Sequence, residues 1–263
     1  MVNEIQKELL DIVTQVRTHL EYQKALGVTV VESLAVPASA AAIVAQPVIK
    51  SVKAAEPAPP EPENKKATVT LSPPASSGTL SLVREELGEC TRCKLSKGRN
   101  AIVFGEGNPE ARLVFIGEGP GQEEDQQGRP FVGAAGQLLT DIIVKGMQLK
   151  REDVYICNIV KCRPPENRNP EPDEIEACEP FLIKQLQAIR PQCIVALGNV
   201  AVKTLLKTKA GITSLRGAWQ TYQGIPLMPT FHPAYLLRTP GDKKLVWEDI
   251  KKVMAEMERV RKG

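Results

Sequence analysis

Apolar positions near the start of the chain recur with a helical period. Ile5, Leu9, Ile12, Val16 and Leu20 fall on one face with charged residues between them, which predicts an amphipathic helix over residues 3–26. From Val28 to about Ser77 that period is lost. The segment is rich in Ala, Val, Pro and Ser, with Ala-Glu-Pro-Ala-Pro-Pro-Glu-Pro-Glu at 55–63 and Ser-Pro-Pro-Ala-Ser-Ser-Gly at 72–78. It buries too little apolar surface to offset its ordering entropy, so an extended, mobile linker is expected. From Thr79 onward short apolar runs alternate with helical patterns. Strand-like runs lie at Arg112–Ile116, Val154–Val160, Cys193–Leu197 and Ile225–Thr230. Helical patterns lie at Leu80–Leu87, Ala134–Lys145, Asp173–Ile189, Val200–Leu206 and Lys243–Arg261. The β-α-β-α-β-α-β order implies an α/β fold: a parallel sheet of these four strands, right-handed crossovers and helices on both faces in three layers. The expected division is a helix at 1–27, a linker at 28–78 and a folded domain at 79–263. The first helix is either a self-associating or loosely docked appendage or a docking helix for a protein partner.

One stretch departs from both periods. Gly117–Leu139 follows the first apolar run, holds six glycines, and leads into a helix expected to begin near Gly133. It therefore sits on the carboxyl edge of the sheet, where open α/β folds bind ligands. Glycines there let backbone approach a ligand closely. Pro120 and Pro130 stiffen the mouth, and Glu118, Glu123, Glu124 and Asp125 polarise it. Phe131 is the single aromatic. The glycine spacing is not the dinucleotide fingerprint, with no direct entry into a helix and no ribose-binding acid about 20 residues on. A flat ligand fits better.

Composition adds little until the cysteines are considered. A net charge of +3 is too small to identify a partner, so any nucleic-acid reading must rest on local clusters. No run of 18 apolar residues occurs, and Met-Val-Asn-Glu-Ile-Gln-Lys-Glu has neither the basic start nor the apolar core of a signal peptide, which suggests the cytoplasm. In a reducing compartment six cysteines suggest metal before disulfide. Cys90 and Cys93 form a C-x-x-C pair, and Cys162 and Cys178 flank the Pro- and Asn-rich loop at 163–172. Two ligands from a turn and two from a distant loop can enclose one site, and all-cysteine ligation suits either zinc or an iron-sulfur cluster. Cys157 and Cys193 lie inside apolar runs and read as core.

Two further strand ends carry chemistry. Asn158 ends the second run at the same edge as the glycine stretch. Its amide can donate and accept, so it can read a base edge, or it can cap a strand-end turn. His232 ends the fourth run before Pro233 and is the only histidine of the folded domain; it is either a satisfied histidine or a functional one, and its place on the carboxyl edge favours function.

Taken together, Gly117-Glu118-Gly119-Pro120-Gly121-x-x-Glu124-Asp125, Pro130-Phe131-Val132-Gly133-x-Ala135-Gly136-x-Leu138-Leu139, Asn158-Ile159-Val160-Lys161-Cys162-Arg163-Pro164-Pro165 and His232-Pro233-Ala234 resemble the family 4 uracil-DNA glycosylases. The resemblance covers about residues 80–260. It implies a four-stranded parallel sheet between helices, a [4Fe-4S] cluster on Cys90, Cys93, Cys162 and Cys178, and hydrolysis of the N-glycosidic bond of deoxyuridine in DNA. Uracil-containing DNA would be the partner, of a monomeric catalytic domain in a bacterial or archaeal type of cytoplasm. The superfamily's covalent branch carries a basic, histidine-containing loop after the asparagine strand. Residues 163–172 contain no histidine, so a covalent enzyme is not expected.

The chemistry of such an enzyme accounts for the residue types. A base inside a duplex must be flipped into a pocket and read on its exposed edge. The resemblance gives Phe131 the stacking role, Asn158 the reading of N3-H and O4, and His232 with backbone amides near Gly119 the stabilisation of charge at O2. Glu124 would close the pocket beside uracil C5, with Gly117 and Glu118 in the same motif. Some related families have an aspartate at the Gly119 position to orient water. Lys161, Arg163 and Arg168 would engage DNA, with Leu236 or Arg238 filling the gap left by the flipped base; the charges could instead form a solvated rim. The competing reading, a non-catalytic iron-sulfur or zinc nucleic-acid-binding module, is disfavoured by intact Phe131, Asn158 and His232. A nucleotide-binding redox protein would need a fingerprint that the chain lacks.

Overall fold

A computed structural model describes residues 76–262, so the amphipathic helix and nearly all of the linker expected over 1–78 lie outside the described residues. Ser76–Gly78, expected in the linker, open the first helix.

Six strands form one sheet: β1 (Glu106–Gly107), β2 (Leu113–Gly117), β3 (Tyr155–Asn158), β4 (Cys193–Leu197), β5 (Gln220–Tyr222) and β6 (Ile225–Thr230). The helices are α1 (Ser76–Leu87), α2 (Gln122–Gln127), α3 (Ala134–Asp141), α4 (Pro172–Ile189), α5 (Gly198–Leu206), α6 (Ile212–Leu215), α7 (Pro233–Arg238) and α8 (Lys243–Lys262). The strand order is β1-β3-β2-β4-β6-β5. The inner four are parallel, as expected, and each edge strand is antiparallel to its neighbour. The sheet is therefore six-stranded and mixed, not four-stranded and all parallel. Neither edge strand has a strand's apolar signature. β1 is two residues long, and β5 exists through the tight hairpin at Gln223 and Gly224, both with positive φ (49° and 82°), that folds it back onto β6.

The period-2 alternation of the inner strands separates two cores. Val114, Ile116, Cys157, Ile194, Ala196 and Leu227 face Leu182, Leu186 and Ile189 of α4 and Ala201, Val202 and Leu205 of α5. Leu113, Phe115, Ile156, Cys193, Val195 and Met228 face Leu139 of α3, Leu236 of α7, and Val246, Ile250 and Val253 of α8. Both faces of each inner strand are buried, which is why these strands read as unbroken apolar runs. α1 lies on α4 through Val83, Leu87 and Phe181. Cys157 and Cys193 are core residues on opposite faces. Among the described residues no helix is long and apolar enough to cross a membrane.

β3 and β4 lie on opposite sides of β2, so the winding reverses there and a crevice opens beyond the carboxyl ends of the strands. The glycine stretch emerges into it. Contrary to expectation, its glycines do lead directly into a helix: Gly121 caps α2, whose six residues intervene before Gly133 caps α3.

Candidate active site

The ends of β2, β3 and β6 converge on a cavity of about 460 Å³. Gly117 and Asn158 are paired across β2 and β3, so the two residues stand side by side at the sheet edge. A Cβ on Gly117 would lie 2.4 Å from Asn158 Oδ1 and 2.6 Å from Phe131 Cζ, so only glycine lets the amide and the ring approach the same point. Asn158 is 1% exposed and its Oδ1 has no hydrogen-bond partner. An unpaired buried acceptor costs ~1–3 kcal/mol, a cost that a ligand N–H would remove. Phe131 lines the cavity with its ring centroid 5.5 Å from that of His232.

His232 is half-buried and caps the start of α7, where its Nδ1 accepts a 3.1 Å hydrogen bond from the Ala234 N–H. The proton of the neutral ring is therefore on Nε2, leaving that nitrogen as a donor. Burial, aided by the charge of Arg238 and opposed by Glu124, lowers the pKa of His232 to about 4. At neutral pH the ring is an uncharged donor.

Glu118, Gly119 and Glu124 also line the cavity. Burial raises the Glu118 carboxyl above its ordinary range. Glu124 is held by backbone: Oε1 accepts from Val132 and Gly133 N–H (2.8 and 2.9 Å) and Oε2 from Gly121 N–H (3.2 Å). It ties the start of α2 to the turn carrying Phe131. A Cβ on Gly119 would meet Val160 Cγ2 at 2.8 Å, so a larger residue there would have to displace Val160.

Comparison with known proteins assigns the chain to a family. Residues 104–251 match the family model described as the uracil DNA glycosylase superfamily. The type-4 uracil-DNA glycosylase of Thermotoga maritima is 49% identical over 179 residues, covering 66% of this chain and 92% of that protein. Those of Saccharolobus solfataricus and Sulfurisphaera tokodaii are 46% and 45% identical, each over 66% of this chain and over 84% and 83% of their own lengths. The chain belongs to the type-4 uracil-DNA glycosylases.

In this type-4 glycosylase chain Cys90, Cys93, Cys162 and Cys178 line one small hollow together with Arg99 and Lys161. Arg99 Nη1 donates to Cys162 Sγ at 3.5 Å and the Lys161 N–H to Cys178 Sγ at 3.3 Å. Burial pushes the Cys162 thiol up to about 11 and raises Cys178 as well, with the neighbouring cysteines adding to both. Bare thiolates are thus disfavoured here, and metal ligation would offset that penalty. Four sulfurs around one hollow, with Arg92, Arg99 and Lys161 lining it as well, suit an anionic cluster.

Two residues expected at the DNA surface are elsewhere. Lys161 is 1% exposed, and its Nζ donates to the Asn158 carbonyl at 2.7 Å, which leaves it out of reach of a phosphate. Leu236 is 1% exposed and packed in the core beneath α7. The next residue, Leu237, is 46% exposed beside Arg238. Arg238 and Arg168 line the cavity, and Arg168 is also bound through both terminal nitrogens to the buried Glu174 (2.9 and 2.7 Å). Arg163 donates to Asn167 Oδ1 at 2.8 Å on the loop before α4. Sequence reasoning passed over Gly198, whose φ of 88° lets the chain turn from β4 into α5 against His232. A glycine directly after a buried strand was the available signal.

Proposed function

We propose that this chain takes deoxyuridine flipped out of DNA into the cavity and hydrolyses the C1′–N1 bond, releasing uracil and leaving an abasic site as the first step of base excision repair. The observation that carries the reading is the unpartnered, buried Oδ1 of Asn158 beside the Phe131 ring. Uracil stacks on Phe131. Its N3-H donates to Oδ1, and the Asn158 amide donates to O4. Cytosine offers the opposite pattern, an acceptor at N3 and a donor at N4, and is refused.

As the C1′–N1 bond breaks, its electron pair passes to the base and accumulates at O2, while C1′ gains oxocarbenium character. The neutral His232 donates from Nε2 to O2, and because it stays uncharged it stabilises the departing anion without first losing a proton. Water adds to C1′ on the opposite face and gives up its proton to the carboxylate that holds it, and the uracil anion takes up a proton from solvent on release. With glycine at 119, the carboxylate available to hold that water is Glu118, since both Glu124 oxygens are taken by backbone amides.

Cys90, Cys93, Cys162 and Cys178 would hold a [4Fe-4S] cluster, which supplies a rigid tie between the turn after α1 and the loop before α4. Arg163, Arg168 and Arg238 contact backbone phosphates, and Leu237 takes the wedge role that Leu236 cannot reach. Incubating the chain with a uracil-containing oligonucleotide and cleaving abasic sites with alkali tests the activity. Strand scission at the uracil is expected; an uncut strand, with uracil retained, would reject it.

A further inference from the structure

Phe131 has a φ of 52°, a conformation that a non-glycine residue holds only when its surroundings over-determine it. Both flanks of the residue are held. On the C-terminal side Glu124 grips the Val132 and Gly133 amides. On the N-terminal side Arg151 Nη2 donates to the Pro130 carbonyl at 2.7 Å. The same guanidinium donates through Nη1 to Thr140 Oγ1 (2.9 Å), and that hydroxyl donates to the Gly136 carbonyl (2.9 Å). Gly136 lies where a Cβ would be 1.9 Å from the Phe131 carbonyl oxygen, so α3 presses directly on the strained residue. Arg151 is aimed by Glu106, whose Oε1 accepts from Nε and Nη2 (3.1 and 2.9 Å). Burial alone would raise the Glu106 carboxyl, but hydrogen bonds from Arg129 and Arg151 outweigh it and hold it below its ordinary range, so the anion is present at neutral pH.

We propose that Arg151, oriented by Glu106, is a positioning residue that fixes the Phe131 ring for base stacking before substrate enters. The inference rests on the stacking role given to Phe131. A planar fork reaches Glu106, Pro130 and Thr140 at once, which a lysine's single ammonium cannot. Arg151 therefore acts on the base through the backbone of Phe131 and touches no reacting atom.

The test uses the full chain with Arg151→Lys and Arg151→Gln, so that one variant keeps the charge against Glu106 if the other folds poorly. Amide hydrogen exchange over residues 130–137 should quicken in both. Excision of uracil should fall on the order of tenfold in kcat/KM when Phe131 is present, and no more than about twofold in the Phe131→Ala background, because interacting residues are non-additive. Unchanged exchange, or equal losses in both backgrounds, overturns the proposal. A Phe131→Ala chain that excises uracil at the parent rate would instead show that the stacking reading is wrong, and the clamp's purpose with it.

Discussion

Gly198 lies against His232, close enough that a Cβ on the glycine would be 2.8 Å from the Cβ of the histidine. With a φ of 88° the position is doubly restricted, by conformation and by contact. Gly198→Ala should therefore displace His232 from the cavity. The expected result is a drop in kcat of about tenfold or more, with DNA affinity much less affected, and a stability loss of ~1–3 kcal/mol. Single-turnover excision and a thermal melt measure both. Unchanged turnover would mean that the place of His232 is set elsewhere.

The acceptor role of His232 Nδ1 and its low pKa set the pH behaviour. With the folded pKa near 4, its contribution to catalysis should be flat from about pH 5 to 8 and fall only as pH approaches 4. Stability has a related sign. The folded value lies below the ordinary 6.5, so between about 6.5 and 4 the unfolded chain binds a proton that the folded chain refuses. This contribution is complete above pH 6.5 and is lost as pH falls to 4. Denaturant midpoints of the parent and of His232→Asn should converge across that window. A kcat that declines already below pH 6.5 through this residue would contradict the assignment.

Leu236 and Leu237 are neighbours with opposite environments, and their alanine variants should separate. Leu236→Ala removes core and should cost ~2–5 kcal/mol. Leu237→Ala should change stability by about 0.5 kcal/mol or less, yet slow excision from duplex more than from single strands, where no gap needs filling. Equal excision from both substrates by the Leu237 variant would remove it as the wedge.

Anaerobically purified protein should be brown, with broad visible absorption that is lost in Cys162→Ser and Cys178→Ser together with thermal stability. A colourless protein carrying stoichiometric zinc at full activity would contradict the cluster. Lys161→Met should leave the sulfur ligands and the backbone bond to Cys178 in place but remove the cation that lines the cysteine hollow and the bond to the Asn158 carbonyl, destabilising both sites together.

The inner sheet was legible because each of its strands is buried on both faces and so is apolar throughout. The edges were not, because β1 and β5 depend on a two-residue pairing and a positive-φ hairpin, not on apolar patterning. Lys161 looked like a surface charge. Its ammonium instead turns back onto the Asn158 carbonyl, and the side chain lines the cysteine hollow, which exists only once the end of β3 and α4 are assembled. Leu236 and Leu237 differ by one helical step, which points one inward and the other to solvent, and a double leucine does not reveal which. Gly117, Phe131, Asn158 and His232 could be singled out because each lies at a predicted strand end or in the glycine stretch. Arg151 could not, since its acceptors Glu106, Pro130 and Thr140 come from three different segments.

If Asn158 reads the base, Asn158→Asp should change which base the enzyme releases. The carboxylate loses the donor to O4 and meets that oxygen with a repulsive contact in a closed pocket, at a cost of ~1–3 kcal/mol or more, while it can accept from the N4 amine of cytosine. Excision should be measured from oligonucleotides holding a single uracil or a single unpaired cytosine, where flipping costs least. Uracil release should fall steeply, and weak, measurable cytosine release should appear. Uracil release at the parent rate would contradict this role, leaving Asn158 as a strand-end cap and giving the reading of the base to another group.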